Sequence, residues 1–292
     1  MLLSYITTES NGTLTLDQLL RGPLSLSARE VREAKRLGLT VDGAPFFANQ
    51  RIGAGRTVAI PLAEYDMPTD FSAPAEVDIL YQDDALIAVR KPAPLQVHPS
   101  PSAPRGADTL EGRVQSYLRG GAHPVHRLDA ETTGIVLFAK LPYVQAHIQR
   151  QMQADTFRKE YLALVCGVLP ESEGVIDAPI DRVAPDSFTR AVLPGGQRAV
   201  TRYRVEAALR DISLVRLFPV TGRTHQLRVH MAHIGHPLLG DTLYSSGRSP
   251  YRLQGQTLHA MTIGFIHPRT REYMEVTAPL PEYFEKILKD LR

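Results

Sequence analysis

Three short segments concentrate the side chains that do chemistry, and each abuts an apolar run. The first, Pro124-Val-His-Arg-Leu-Asp-Ala-Glu-Thr-Thr-Gly134, leads into Ile135-Val-Leu-Phe-Ala139. Asp129 therefore lies in a polar loop that enters a core strand, where a rigid scaffold holds a carboxylate partly out of water. A desolvated carboxylate needs a cation. Paired only with nearby Arg127, Asp129 would be an ordinary loop carboxylate. The second segment, Thr221-Gly-Arg-Thr-His-Gln-Leu-Arg-Val-His230, offers Arg223 at a turn after a glycine, then a helix start with Thr224 as N-cap. Arg223 is the candidate partner of Asp129. Such a pair keeps the carboxylate ionised near neutral pH, as a nucleophile requires and a general acid does not. Taken singly, Arg223 and Arg228 read equally well as surface charges. In the third segment, Phe157-Arg-Lys-Glu-Tyr-Leu-Ala-Leu-Val165, Tyr161 follows a basic cluster. Aromatic beside basic suits a stacked nucleobase, although an ordinary core aromatic fits as well.

His225, His230, His233 and His236 raise a rival, the metal centre of a hydrolase, because His230 and His233 share a helix face. The pattern His-Glu-x-x-His is missing, the nearest carboxylate is Asp241, and flanking arginines repel a divalent cation. The expected metal content is none.

The elements that must position these residues follow from periodicity. Val77–Leu80, Ala85–Val89, Gly134–Ala139, Tyr161–Val165, Ala199–Glu206 and Ile212–Phe218 read as strands, and Leu110–Leu118, Pro142–Met152, Thr224–Ile234 and Glu282–Leu291 as helices. Many strands, few helices and no regular alternation predict an α+β domain with a mixed, mostly antiparallel sheet over residues 77–292. Before it, Ser27-Ala-Arg-Glu30 is a capping box opening a helix to Leu37, with Val31, Ala34 and Leu37 at helical spacing. Arg29, Arg32 and Arg36 share one face of that helix. Leu39-Thr-Val41, an Asp42-Gly43 turn and Thr57–Ile60 complete a small α+β module over 1–60, and Pro61, Pro68 and Pro74 mark a linker over 61–76.

The 292 residues carry a net charge of only +2, which hides an acidic stretch from Glu64 to Asp84 and an arginine-rich one from Arg198 to Arg228. The latter fits a polyanionic partner or a solvated strand surface. A single cysteine, Cys166, in an apolar run excludes an internal disulfide framework and reads as a small buried hydrophobe. The N-terminus lacks a basic n-region, and no apolar run approaches the roughly 20 residues of a bilayer span, so a cytoplasmic protein is expected.

His126-Arg-Leu-Asp129 followed by Thr132-Thr-Gly134, together with Gly222-Arg-Thr-His-Gln-Leu-Arg228, resembles the RluA-type RNA pseudouridine synthases. Asp83-Asp-Ala-Leu-Ile-Ala-Val-Arg-Lys-Pro92 with His98-Pro99, Lys159-Glu-Tyr161, Gly235-His-Pro with Gly240-Asp241 and Tyr244, and Leu258-His-Ala260 with His267-Pro268 follow in that family's order. Arg90, Ala93-Pro94 and Thr133 depart from it, where Asn, Ala-Gly and Ser are usual; none touches the catalytic motif. The resemblance implies isomerisation of uridine to pseudouridine in structured RNA, ribosomal or transfer, with no cofactor; the absence of heptads gives no reason to expect an obligate protein partner. Asp129 attacks C1′ of the target or assists removal of its C2′ proton. Tyr161 stacks on the uracil, Arg223 pairs with Asp129, and Arg127 fills the gap left by the flipped base. His126 and Arg228 join Arg127 as substrate contacts. Residues 13–60 resemble an S-four-like RNA-binding domain, which makes Arg29, Arg32 and Arg36 further contacts. A non-catalytic RNA-binding protein is the alternative, against which Asp129, Tyr161 and Arg223 stand together.

Overall fold

The computed structural model describes every residue except 1, 25, 63–72, 75, 101–103, 105, 246–254 and 292. The expected linker over 61–76 falls mostly outside the described residues.

The N-terminal part comprises β1 (Leu2–Ile6), α1 (Leu16–Arg21), α2 (Ala28–Arg36), β2 (Thr40–Val41), β3 (Ala44–Pro45) and β4 (Thr57–Pro61), the strands ordered β1-β4-β2-β3. α2 starts as its sequence dictates: the Glu30 amide donates to Ser27 Oγ and the Ser27 amide to Glu30 Oε2. Val31 and Ala34 are buried, whereas Leu37, at the C-cap, is exposed. Asp42 and Gly43, both at positive φ, form the tight turn between β2 and β3.

The larger sheet is built from β5 (Asp78–Gln82), β6 (Leu86–Lys91), β7 (His123–Pro124), β8 (Thr133–Ala139), β9 (Arg158–Cys166), β10 (Glu173–Asp177), β13 (Val200–Leu209), β14 (Ile212–Pro219), β15 (Leu258–Ile266) and β16 (Tyr273–Thr277). A separate hairpin pairs β11 (Ile180–Arg182) with β12 (Arg190–Val192). The order is β10-β13-β14-β9-β15-β8-β6-β5, with β16 on β15 and β7 on β8. Every pairing among the described residues is antiparallel except β8 with β15, so the sheet is mixed and mostly antiparallel. The helices are α3 (Leu110–Leu118), α4 (Pro142–Gln153), α5 (Gln226–His233) and α6 (Glu282–Leu291).

Both faces of the central strands are covered, which is why β8 is an unbroken apolar run rather than an alternating one. Val136 and Phe138 face a cluster containing Leu110 and Val114 of α3 and Leu227 and Met231 of α5. Ile135, Leu137 and Ala139 face the opposite cluster, with Tyr143, Val144 and Ile148 of α4. That second cluster continues into Leu19, Val31 and Ile60, so the N-terminal part packs on the back of the large sheet. The Arg150 guanidinium donates to the Gly22 carbonyl across this contact. Cys166 is only partly buried, at the rim of a third cluster under α6.

β8 and β15 meet at one close approach. Gly134, at φ +114°, lies so near β15 that a β-carbon would stand 2.2 Å from the Ala260 oxygen. Ala260 pairs in turn with Tyr161 of β9, and Tyr161 with Leu217 of β14. This row fixes Tyr161 two strands from the start of β8, about 10 Å away.

Two predictions follow from packing. Gly134→Ala is expected to destabilise the protein by on the order of 3 kcal/mol in urea unfolding, because strain adds to a backbone clash. An unchanged midpoint would rule out the close approach. Second, burial pushes His126 down to about 3, and burial with surrounding cations pushes His147 and His259 to about 4. These folded values lie below the unfolded one, so the unfolded chain takes up protons first. Stability is therefore lost as pH falls from about 6.5 towards 4, by up to about 1.4 kcal/mol per unit for each histidine. The urea midpoint should drop between pH 7 and pH 5; a flat profile would contradict neutral buried rings.

Candidate active site

Asp129 lies in the loop that precedes β8, and main-chain contacts hold that loop. The Thr132 amide donates to the Asp129 carbonyl and the Leu95 amide to the Ala130 carbonyl. Beneath them the fully buried Lys91 ammonium donates to the carbonyls of Pro92, Leu95 and Ala130 at 2.8, 2.7 and 2.7 Å. Burial pushes Lys91 down to about 7 while the Asp129 charge pulls the other way. Three carbonyl acceptors match the three hydrogens of an ammonium, where a neutral amine has two. The polar residues after Asp129 are structural: Thr132 Oγ1 accepts from Gln256, Thr133 Oγ1 bonds His259 Nδ1 at 2.9 Å, and Gly134 makes the approach to β15.

The cation that meets Asp129 is Arg228, not Arg223. Arg228 Nη1 donates to Asp129 Oδ2 at 3.1 Å, while its Nε and Nη2 clamp the two oxygens of Asp241 at 2.7 and 2.9 Å. Arg228 is 5% exposed and Asp241 0%, against 21% for Asp129. Burial opposes the charge on Arg228, but the bonds to Asp241 and the fields of both carboxylates outweigh it and raise its pKa. Tyr244 lies under the guanidinium at 5.1 Å, and Asp241 is held by the amides of Leu243 and Tyr244. Arg223 instead gives its Nε to the Arg198 carbonyl at the exposed rim. Its turn is tied by Gln226, whose Oε1 accepts from Thr221 Oγ1 and the Arg223 amide. The helix also begins later than expected: residue 225 holds the N-cap position in the left-handed region, so Thr224 is not the cap.

A cleft of about 300 Å³ opens above these groups, lined among others by His126, Arg127, Asp129, Lys159, Tyr161, Arg223, His225 and Arg228. Tyr161 is 9% exposed, and burial, with the Asp129 charge adding, raises its phenol, so it is neutral at physiological pH. Burial lowers Lys159, which projects beside Gly222. Arg127 is exposed at the rim. His126 turns inward: its Nε2 accepts the Leu137 amide at 3.3 Å, an anchoring role beside any contact with a ligand. Arg29, Arg32 and Arg36 are exposed on α2 and none lines the cleft; Arg36 pairs with Glu33 at 2.8 Å. Two histidines of the rival metal centre, His230 and His236, serve the fold. His230 bonds Thr201 Oγ1 and the Ala178 carbonyl, and His236 bonds the Cys166 carbonyl.

Sequence reasoning thus placed Asp129, Tyr161, Arg127, His126, Arg223 and Arg228 on one cleft but assigned the ion pair to the wrong arginine. It gave Lys91, Gln226 and Asp241 no role at this site and weighed His225 only as a metal ligand. One signal for Arg228 was available: an arginine between Leu227 and Val229 on a buried helix requires a carboxylate partner.

Comparisons with known proteins place the chain in a family. A family profile described as RNA pseudouridylate synthase matches residues 85–233, about half the chain. The RNA pseudouridine synthase YlyB of Bacillus subtilis is 36% identical over 262 residues, covering 87% of this chain and 86% of that protein. Ribosomal large subunit pseudouridine synthase D of Haemophilus influenzae is 36% identical over 262 residues, covering 83% and 79%. Among solved structures, human RNA Pseudouridylate Synthase Domain Containing 4 superposes with a TM-score of 0.61 at 27% identity, covering 73% of this chain and 92% of that one. From the matched profile and from relatives more than one third identical over most of both chains, it follows that this chain belongs to the RNA pseudouridylate synthase family.

Proposed function

We propose that this synthase acts on uridines of structured ribosomal or transfer RNA in the cytoplasm, with Asp129 as the carboxylate that works on the ribose. Ribosomal RNA is favoured, because relatives 36% identical are named for the large ribosomal subunit. The observation that carries the mechanism is the setting of Asp129: one oxygen tied to a buried, permanently charged arginine, beside a neutral buried phenol, at the floor of a cleft. In the nucleophilic route Asp129 bonds to C1′ as the C1′–N1 bond breaks and its electron pair leaves with the uracil. The uracil turns in place and C5 bonds to C1′, while the C1′–oxygen pair returns to the carboxylate. C5 then loses its proton and N1 gains one, so the net change is isomerisation. Abstraction of the C2′ proton by the same carboxylate also breaks the glycosidic bond. Retaining the free base demands a closed pocket, and the apolar lining by Val125, Leu128, Leu227 and Leu258 suits that.

In this reading Arg127 at the rim supports the stack from which the uridine leaves, and Arg223 and Lys159 meet phosphates. The N-terminal part, with Arg29, Arg32 and Arg36 exposed on α2, serves as a second RNA contact of S-four-like type.

The test is tritium release from RNA labelled at uridine C5, prepared from a strain lacking this protein. Asp129→Asn is expected to slow release by about a thousandfold or more with RNA binding retained. Equal rates for mutant and wild type would remove Asp129 from the mechanism. Asp241→Asn, which takes the charge from behind Arg228, is expected to cost about 3 kcal/mol of stability and to lower kcat. Urea unfolding and the same release assay measure both. If neither changes, Arg228 does not depend on Asp241.

A further inference from the structure

His225 occupies a backbone conformation that most side chains avoid, with φ 57° and ψ 15°. A left-handed backbone costs a residue bearing a β-carbon about 1 kcal/mol. Here it turns the imidazole away from a capping role and into the cleft. Nδ1 lies 2.8 Å from the Tyr244 hydroxyl, and Nε2 lies 3.9 Å from Asp129 Oδ2. The rings of His225 and Tyr244 meet edge to face, 5.8 Å apart.

These contacts define where the protons are. The Arg190 amide donates to the Tyr244 oxygen at 3.0 Å, leaving the phenol hydrogen to donate to His225 Nδ1. The opposite tautomer would deprive the phenol hydrogen of that acceptor and aim the Nε2 lone pair at a carboxylate. The hydrogen of the neutral ring is therefore on Nε2, facing Asp129. Burial lowers the His225 pKa; the charges of Asp129, Arg228, Asp241 and Arg190 act on it in partly cancelling directions. Among the described residues, the polar contacts to the Asp129 carboxylate, from Arg228 and His225, fall on Oδ2.

We propose that His225, fixed by Tyr244, is a positioning residue that joins Arg228 on Asp129 Oδ2 and so presents Oδ1 to the ribose of the target uridine. The 3.9 Å gap is about 1 Å too long for a hydrogen bond and closes when the carboxylate turns onto its substrate, as contacts in unliganded sites do. A neutral donor suits this place: it binds Oδ2 both when the carboxylate is charged and when Oδ1 is esterified and Oδ2 has become a carbonyl oxygen. The inference rests on Asp129 acting on the ribose.

The experiment compares His225→Asn, Tyr244→Phe, their combination and Asp129→Asn in the tritium-release assay, with kcat and KM measured separately and melting temperatures recorded. Asparagine tolerates the left-handed backbone but is too short to reach Asp129. Tyr244→Phe deletes one oxygen, keeps the ring under Arg228, and carries the test alone if His225→Asn fails to fold. The expected result is a loss in kcat of roughly a hundredfold for His225→Asn and about tenfold for Tyr244→Phe, with KM nearly unchanged. The double variant should be no slower than His225→Asn, because the two residues act as one unit. Wild-type kcat in the folded single variants, or losses that multiply, would overturn the assignment. Full activity of Asp129→Asn would instead overturn the reading of Asp129 itself, so the two failures are distinguishable.

Discussion

One guanidinium organises this protein. Arg228 has its Nε and Nη2 committed to Asp241, and that bidentate clamp leaves Nη1 a single direction, in which Asp129 sits. A planar fork imposes such a direction and a lysine ammonium does not. The arrangement is expensive: two side chains at 5% and 0% exposure carry full charge under an apolar sheet. Buried ion pairs rarely stabilise a fold more than well-packed apolar residues of the same size would. Their presence beneath the cleft is better explained by what they hold than by what they add to stability.

The remainder of the architecture brings two distant pieces of chain to that fork. Asp129 and Arg228 are 99 positions apart, and Tyr161 comes from a third segment. The row Gly134, Ala260, Tyr161, Leu217 sets the relative height of the strands, so the loop before β8 and the phenol on β9 open into one cleft. α5 then lies over the same apolar face through Leu227 and Met231 and delivers Arg228 from above.

How far this was legible in the sequence depended on range. Local signals held. The capping box placed α2, unbroken apolar runs placed β6, β8 and β9, and α3 and α6 span the residues that their periodicity predicts. β15 and β16 gave no strand signal, because His259 and Gly264 interrupt the apolar pattern and the burial of β15 comes from neighbours on both sides. The choice between Arg223 and Arg228 was a tertiary fact. Turn chemistry favoured Arg223 as the residue beside a glycine, and the apolar neighbours of Arg228 hinted at a buried partner that the depth of α5 in the core makes necessary. Thr224 was a reasonable N-cap by residue type, but the chain spends an extra residue, His225, in the left-handed region before the helix begins.

The knot under the Asp129 loop has a consequence for how such a cleft diversifies. Lys91 grips only main-chain oxygens, those of Pro92, Leu95 and Ala130. Thr132, Leu95 and Leu128 anchor the loop through their side chains as well, but exchanges at Ala93, Ala130 and Glu131 remove none of these main-chain bonds. The rim can change its side chains while the Asp129 carboxylate stays where it is.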